Sequence, residues 1–156
     1  MSATLLLLAA SLAARCDLRS MSFENGFQAR LPAHVCVTRT DIADFTIFHF
    51  ADRGGRVFLD AYAGDAANFP YFAANGSDVA SSACSKLHIE EHEHGAVTHV
   101  GGSARTPEGR CGEMLVRRPA SAGTIGSAAV HFWYSRLTAD EERRALVIID
   151  AVVPAK

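Results

Sequence analysis

The sequence predicts an α+β domain in which an antiparallel, meandering sheet of about five to seven strands carries a C-terminal helix on one face. Two stretches carry that expectation. Residues 44–62 hold two runs of β-formers around a polar, glycine-bearing loop, and residues 138–153 hold a helix cap followed by apolar residues at helical spacing. The other β-rich runs are short and separated by Gly, Pro, Asn and Ser, as the strands of a meander are.

The elements follow in order. Asn25-Gly26 signals a turn, and Phe27, Ala29 and Leu31 alternate up to Pro32, so a first strand should end at that proline. Asp44–Phe50 and Arg56–Tyr62 are joined by Ala51-Asp52-Arg53-Gly54-Gly55, which reads as a hairpin with a longer loop. Residues 65–75, with Pro70 among aromatics, read as a packed loop with a helical turn. Residues 86–100 read as two short strands around His94-Gly95, and the Gly, Ser, Arg and Pro of residues 101–109 read as a gap. Residues 113–117 suggest a further strand, residues 119–126 a connection, and residues 128–136 a strand with aromatics on both faces.

The end of the sequence is helical. Thr138-Ala139-Asp140-Glu141 matches the capping box, in which the Thr side chain caps the first turn and the Glu side chain returns a bond. Asp140, Glu141 and Glu142 suit the positive end of the helix dipole. Ala145, Leu146, Ile149, Val152 and Val153 then form one apolar face, and Pro154 closes the segment.

This layout resembles small secreted sandwich domains of the PsbP-like kind. The resemblance is carried by the strand from Gly26-Phe27 to Leu31-Pro32, the hairpin through Tyr62, and the strand-to-helix run from His131 to Val152. It implies a secreted sandwich. It implies no single role, because that family spans photosystem accessory proteins and many proteins without an assigned task.

The chain has 156 residues, 49% of them hydrophobic and 21% charged, with a net charge of -2. That is one domain with a sizeable core, and it lacks the basic footprint of a nucleic-acid binder. Residues 4–14 form an apolar run of signal-peptide length, too short to span a bilayer, with Ser11-Leu12-Ala13 offering a small-x-small cleavage pattern. The expected organisation is a signal peptide over residues 1–14, a linker over 15–22 and a domain over 23–156. The alternatives are a lipid anchor on Cys16 and a cytoplasmic start at Met21. An exported chain favours one disulfide among Cys36, Cys84 and Cys111, leaving one thiol free, with Cys84–Cys111 the expected pair because the hairpin between them brings its flanks together.

One stretch carries metal-ligand chemistry. His88, Glu90, His92 and His94 alternate, so on a strand they share a face. A tight turn at His94-Gly95 would set His92 opposite Val97 and Glu90 opposite His99. His88, Glu90, His92 and His99 would then form a ligand set for Zn²⁺ or Cu²⁺. A solvated edge hairpin accounts for the same residues, since charge on an edge strand discourages aggregation. The sequence has no Gly-x-Ser-x-Gly elbow, phosphate-binding loop or dinucleotide fingerprint. The functional expectation is therefore an extracytoplasmic, non-enzymatic binding protein. Its partner would be an envelope protein or a toxin, with Phe69, Pro70, Tyr71 and Phe72 as aromatic anchors. The alternative is a divalent-metal binder through the hairpin cluster, and the third reading is a metal-dependent hydrolase.

Overall fold

A computed structural model describes residues 15–16, 18–23, 25–42, 45–64, 84–118 and 128–156. Eleven strands are present among them: β1 (Arg15–Cys16), β2 (Ser20–Ser22), β3 (Phe27–Arg30), β4 (Cys36–Ile42), β5 (Phe45–Ala51), β6 (Val57–Gly64), β7 (Glu90–His94), β8 (Val97–Thr106), β9 (Gly109–Arg117), β10 (Ala129–Leu137) and β11 (Val152–Pro154). Among the described residues one α-helix, α1 (Ala139–Asp150), lies between β10 and β11, and a single 3-10 turn spans Cys84–Lys86. The main sheet has eight antiparallel strands in the order β1-β4-β5-β6-β10-β9-β8-β7, and a smaller sheet runs β11-β3-β2. This is more strands than the five to seven expected, and the α+β class holds.

The excess has identifiable causes. The expected gap at residues 101–109 is mostly strand, because β8 runs on to Thr106 and pairs residue by residue with β9. Gly101 lies in that strand by close approach: a Cβ there would collide with the carbonyl of Glu113 and with the Met114 thioether. The chain turns only at Pro107-Glu108. The helix also ends earlier than its apolar pattern suggested, at Asp150. Val152 then pairs with Ala29 as the start of β11. β4 reads weakly as a strand because its outer residues, Arg39 to Asp41, are polar, yet it pairs with β5 along its length. Residues 15–22 carry β1 and β2.

Helix α1 starts as its cap dictates. Thr138 accepts from the Glu141 amide at 3.3 Å and the Glu141 carboxylate accepts from the Thr138 amide at 2.8 Å. Ala145, Ile148 and Ile149 point into the core, while Val147 faces solvent. The helix lies over β3, β6, β9 and β10. Phe23, Phe27, Phe50, Phe132 and Leu59 fill the core, with Phe23 edge-on to Phe48 and Phe132. Each fully buried Phe or Leu side chain contributes on the order of 1.5–3 kcal/mol. Disulfide Cys16–Cys36 joins β1 to its neighbour β4 within the main sheet, and Cys84–Cys111 ties the turn before the edge hairpin to β9. The expected Cys84–Cys111 pair is thus present, and Cys16, engaged with Cys36, does not hold a free thiol. Two disulfides suit an oxidising, extracytoplasmic setting. Among the described residues no helix is long and apolar enough to cross a membrane.

Candidate functional site

The edge hairpin β7–β8 positions the histidines. β7 is the outermost strand of the main sheet, and all five of its residues are exposed. Gly95 takes φ +60°, the positive value that a two-residue hairpin turn demands at its first position. The turn therefore occupies Gly95-Ala96, one residue later than expected, and the register moves by two. His94 pairs with Val97, His92 with His99 and Glu90 with Gly101. A shift of two preserves the faces, so Glu90, His92 and His99 stay on one side of the sheet. His88 precedes β7, exposed, with Nε2 3.6 Å from a Glu90 oxygen.

The ligand atoms that come together are those of His94, His99 and Asp150, all within 4.8 Å of one another. Of the set expected from sequence, His99 belongs to this group. His92 faces it across the strand pair, and His88 and Glu90 line the adjoining cleft. The expected ligand set contains neither His94 nor Asp150. His94 was placed in the turn, although it continues the alternation of His88, Glu90 and His92. Asp150 comes from the far end of α1, and its only local signal is a carboxylate at the negative end of a helix dipole.

His99 is the centre of the group. Its residue is 3% exposed, and its Nε2 is buried with no hydrogen-bond partner. Its Nδ1 lies 3.8 Å from an Asp150 oxygen, too far for a hydrogen bond. Burial lowers the pKa of His99 below the usual 6.5; His94 and His92 push the same way, and Asp150 opposes them. The imidazole is therefore held neutral, the form that binds metals. The His94 ring stacks on His99, centroids 4.8 Å apart and planes 22° from parallel. The last turn of α1 contains no basic residue to balance Asp150 and the helix dipole. Three features thus converge: an orphaned buried nitrogen, an uncompensated negative helix end, and a second imidazole.

Beside this group lies an open cleft of about 320 Å³. Glu90 and His92 form its outer wall, and Met114, Leu146 and Ile149 its inner wall. Tyr134 closes the far end. Its hydroxyl donates to Glu142 at 3.1 Å and is also bonded by Ser103. Burial and the Glu142 charge push this phenol's pKa well above its usual value. Arg110 holds the other Glu142 oxygen at 2.6 Å, so this end of the cleft is a closed polar network.

Compared with protein-family models, curated proteins and solved structures, the chain matches none.

Two further polar arrays lie elsewhere on the main sheet. Across β4, β5 and β6, Thr40 Oγ1 is 3.3 Å from His49 Nε2, and His49 Nδ1 is 2.6 Å from Asp60. Burial raises the Asp60 pKa, against the opposing pull of His49. The order is that of a nucleophile, a base and an orienting acid. However, His49 and Asp60 sit mid-sheet, where ladder pairing uses the backbone amides that an oxyanion site would need. It is a hydrogen-bonded seam between strands. On β10, His131 is 1% exposed and its Nε2 meets Glu113 at 2.7 Å, with the ring tilted against Trp133. His131 is therefore a core residue. The aromatic anchors Phe69, Pro70, Tyr71 and Phe72 lie outside the described residues.

Proposed function

We propose that this chain is an exported binding protein that takes one divalent metal ion, zinc or copper, at His94, His99 and Asp150. The observation that carries the reading is that His94, His99 and Asp150 each bring one ligand atom within 4.8 Å of the others, around a His99 that is buried and whose contact to Asp150 is made by Nδ1. An imidazole buried next to a second imidazole and a carboxylate, with no hydrogen bond between them, is an arrangement that a bound cation would satisfy.

The donor set fits the ion. Two imidazoles and a carboxylate are borderline ligands that suit Zn²⁺ and Cu²⁺ better than Mg²⁺ or Ca²⁺. Donors around a tetrahedral zinc lie roughly 3.3–3.6 Å apart, so the group has to contract slightly. The exposed His94 ring does this by turning out of its stack on His99. A cation also offsets the negative end of α1. Export is supported by the apolar run at residues 4–14 and by the two disulfides.

The test is a calorimetric zinc and copper titration of residues 15–156, beside a His94→Ala/His99→Leu double variant. The expected result is one ion per chain with Kd below about 1 μM, worth about 8 kcal/mol, and loss of that binding in the variant. Binding of unchanged strength in the double variant refutes the assignment.

A further inference from the structure

We propose that the cleft between β7 and α1 binds a small organic ammonium ion that carries one apolar ring. The proposal stands apart from the metal reading, because none of His94, His99 and Asp150 lines this cleft.

A missing side chain opens the space. Glu90, Gly101 and Met114 are register partners across β7, β8 and β9, so they stand in one row on one face of the main sheet. Gly101 puts nothing into that row, and the Met114 thioether leans over the place its Cβ would take. From α1, Leu146 and Ile149, three residues apart and therefore on one side of the helix, close the space above the row. The result is a slot of about 320 Å³, at the small end of ligand pockets. Its inner wall is apolar and its outer wall is His88, Glu90 and His92.

The charge of the slot selects a cation. Among the described residues none that lines it is Lys or Arg, and its carboxylates belong to Glu90 and Glu113. Glu113 is committed to His131, 2.7 Å away in the core. At the far end, Glu142 already receives the Tyr134 hydroxyl and the Arg110 guanidinium. Glu90 is the charge that a ligand can reach. Its side chain is 62% exposed, and its 3.6 Å contact to His88 is beyond hydrogen-bond length. An ammonium group donates to Glu90 at the rim while its ring turns inward onto Leu146, Ile149 and the Met114 thioether, which packs well against an aromatic ring. A carboxylate of the same shape meets repulsion from Glu90. An amine without a ring leaves the inner wall wet.

The probes are phenethylamine, 3-phenylpropionate and ethylamine, titrated at pH 8 into the ¹⁵N-labelled protein after treatment with a chelator. The amide signals of Gly101, Gly102 and Ser103 report on the slot. Phenethylamine should bind with Kd of about 1 mM, as befits a ligand of this size, and the other two probes about tenfold more weakly. Glu90→Gln, at an exposed position, should weaken phenethylamine about threefold, the size of an ion pair at a wet rim. Glu90→Lys should reverse the preference toward 3-phenylpropionate. Leu146→Trp, which fills the slot, should abolish binding; if its melting curve shows it unfolded, the two Glu90 variants decide alone. Equal affinity for the ammonium and carboxylate probes overturns the proposal. So do shifts that Glu90→Lys leaves unchanged, or no shift at about 10 mM phenethylamine, tenfold above the expected Kd. The chelator-treated protein carries no ion, so failure here leaves the metal reading standing, and failure of the metal titration leaves this proposal standing.

Discussion

Replacing His99 by leucine should separate the binding role of this residue from its structural cost. In the metal-free chain the buried imidazole leaves Nε2 unpaired, and its Nδ1 contact to Asp150 is 3.8 Å long. Removing an orphaned buried polar atom returns about 1–3 kcal/mol, and leucine fills a similar volume. The metal-free variant should therefore melt at the wild-type temperature or above it, unlike most core substitutions. Wild type should respond to zinc. At a hundredfold excess over Kd the ion stabilises by about 2.7 kcal/mol, and a chain of this size gains roughly 2–4 °C per kcal/mol, or about 5–11 °C in all. The variant should show none of this shift. The pH dependence gives an independent sign. With the folded-state pKa of His99 below the usual 6.5, the unfolded chain takes up the proton first on acidification. The stability tied to the neutral ring is complete above about pH 6.5 and is lost as pH falls below it, and the leucine variant lacks that loss. Thermal melts by circular dichroism, with and without zinc and between pH 5 and 8, measure all of this. A metal-free variant destabilised by more than about 2 kcal/mol would mean that His99 has a structural partner after all, and the orphan argument would fail.

Other substitutions test the scaffold that holds the site. A Cys84→Ser/Cys111→Ser variant should lose about 3.5 kcal/mol in the chain-entropy model for its 27-residue separation, read from denaturant melts; a loss under about 1 kcal/mol contradicts it. Thr138→Ala should cost about 1 kcal/mol by removing the helix cap while Thr138→Ser stays close to wild type, and equal stability of all three refutes the cap's role. Glu113→Ala removes the 2.7 Å buried contact to His131 and should cost about 1–3 kcal/mol, with Glu113→Gln costing less because it keeps an acceptor. An alanine variant as stable as wild type would show that the pair contributes nothing.

What could be read from sequence was local. The β5–β6 hairpin announces itself by β-formers flanking Gly54-Gly55, and α1 by its capping box, because both depend on residues a few positions apart. The face shared by Glu90, His92 and His99 survived a register error because side chains alternate with period two. The elements that escaped are those fixed by distant partners. β8 continues through Gly101, Gly102 and Ser103, residues that favour strands poorly, because β9 offers a complete ladder beside it. β11 looked like the last turn of α1, since Val152 and Val153 fit either periodicity and only pairing with β3 decides between them. Asp150 enters the site for the same kind of reason. The angle at which α1 crosses the sheet sets its last carboxylate beside the edge hairpin, and no local pattern encodes that angle.

The smaller sheet has a consequence for how the chain is made. Its central strand, β3, pairs Ala29 with Val152, while the Ala155 amide donates to the Gly26 carbonyl at 2.8 Å. Early and late segments thus clasp each other. During synthesis at about 5–20 residues per second, β3 waits roughly 6–25 s before β11 exists to complete its pairing. Until those late residues emerge, this small sheet stays incomplete while β4, β5 and β6 can already pair. The clasp that finishes the fold also delays it.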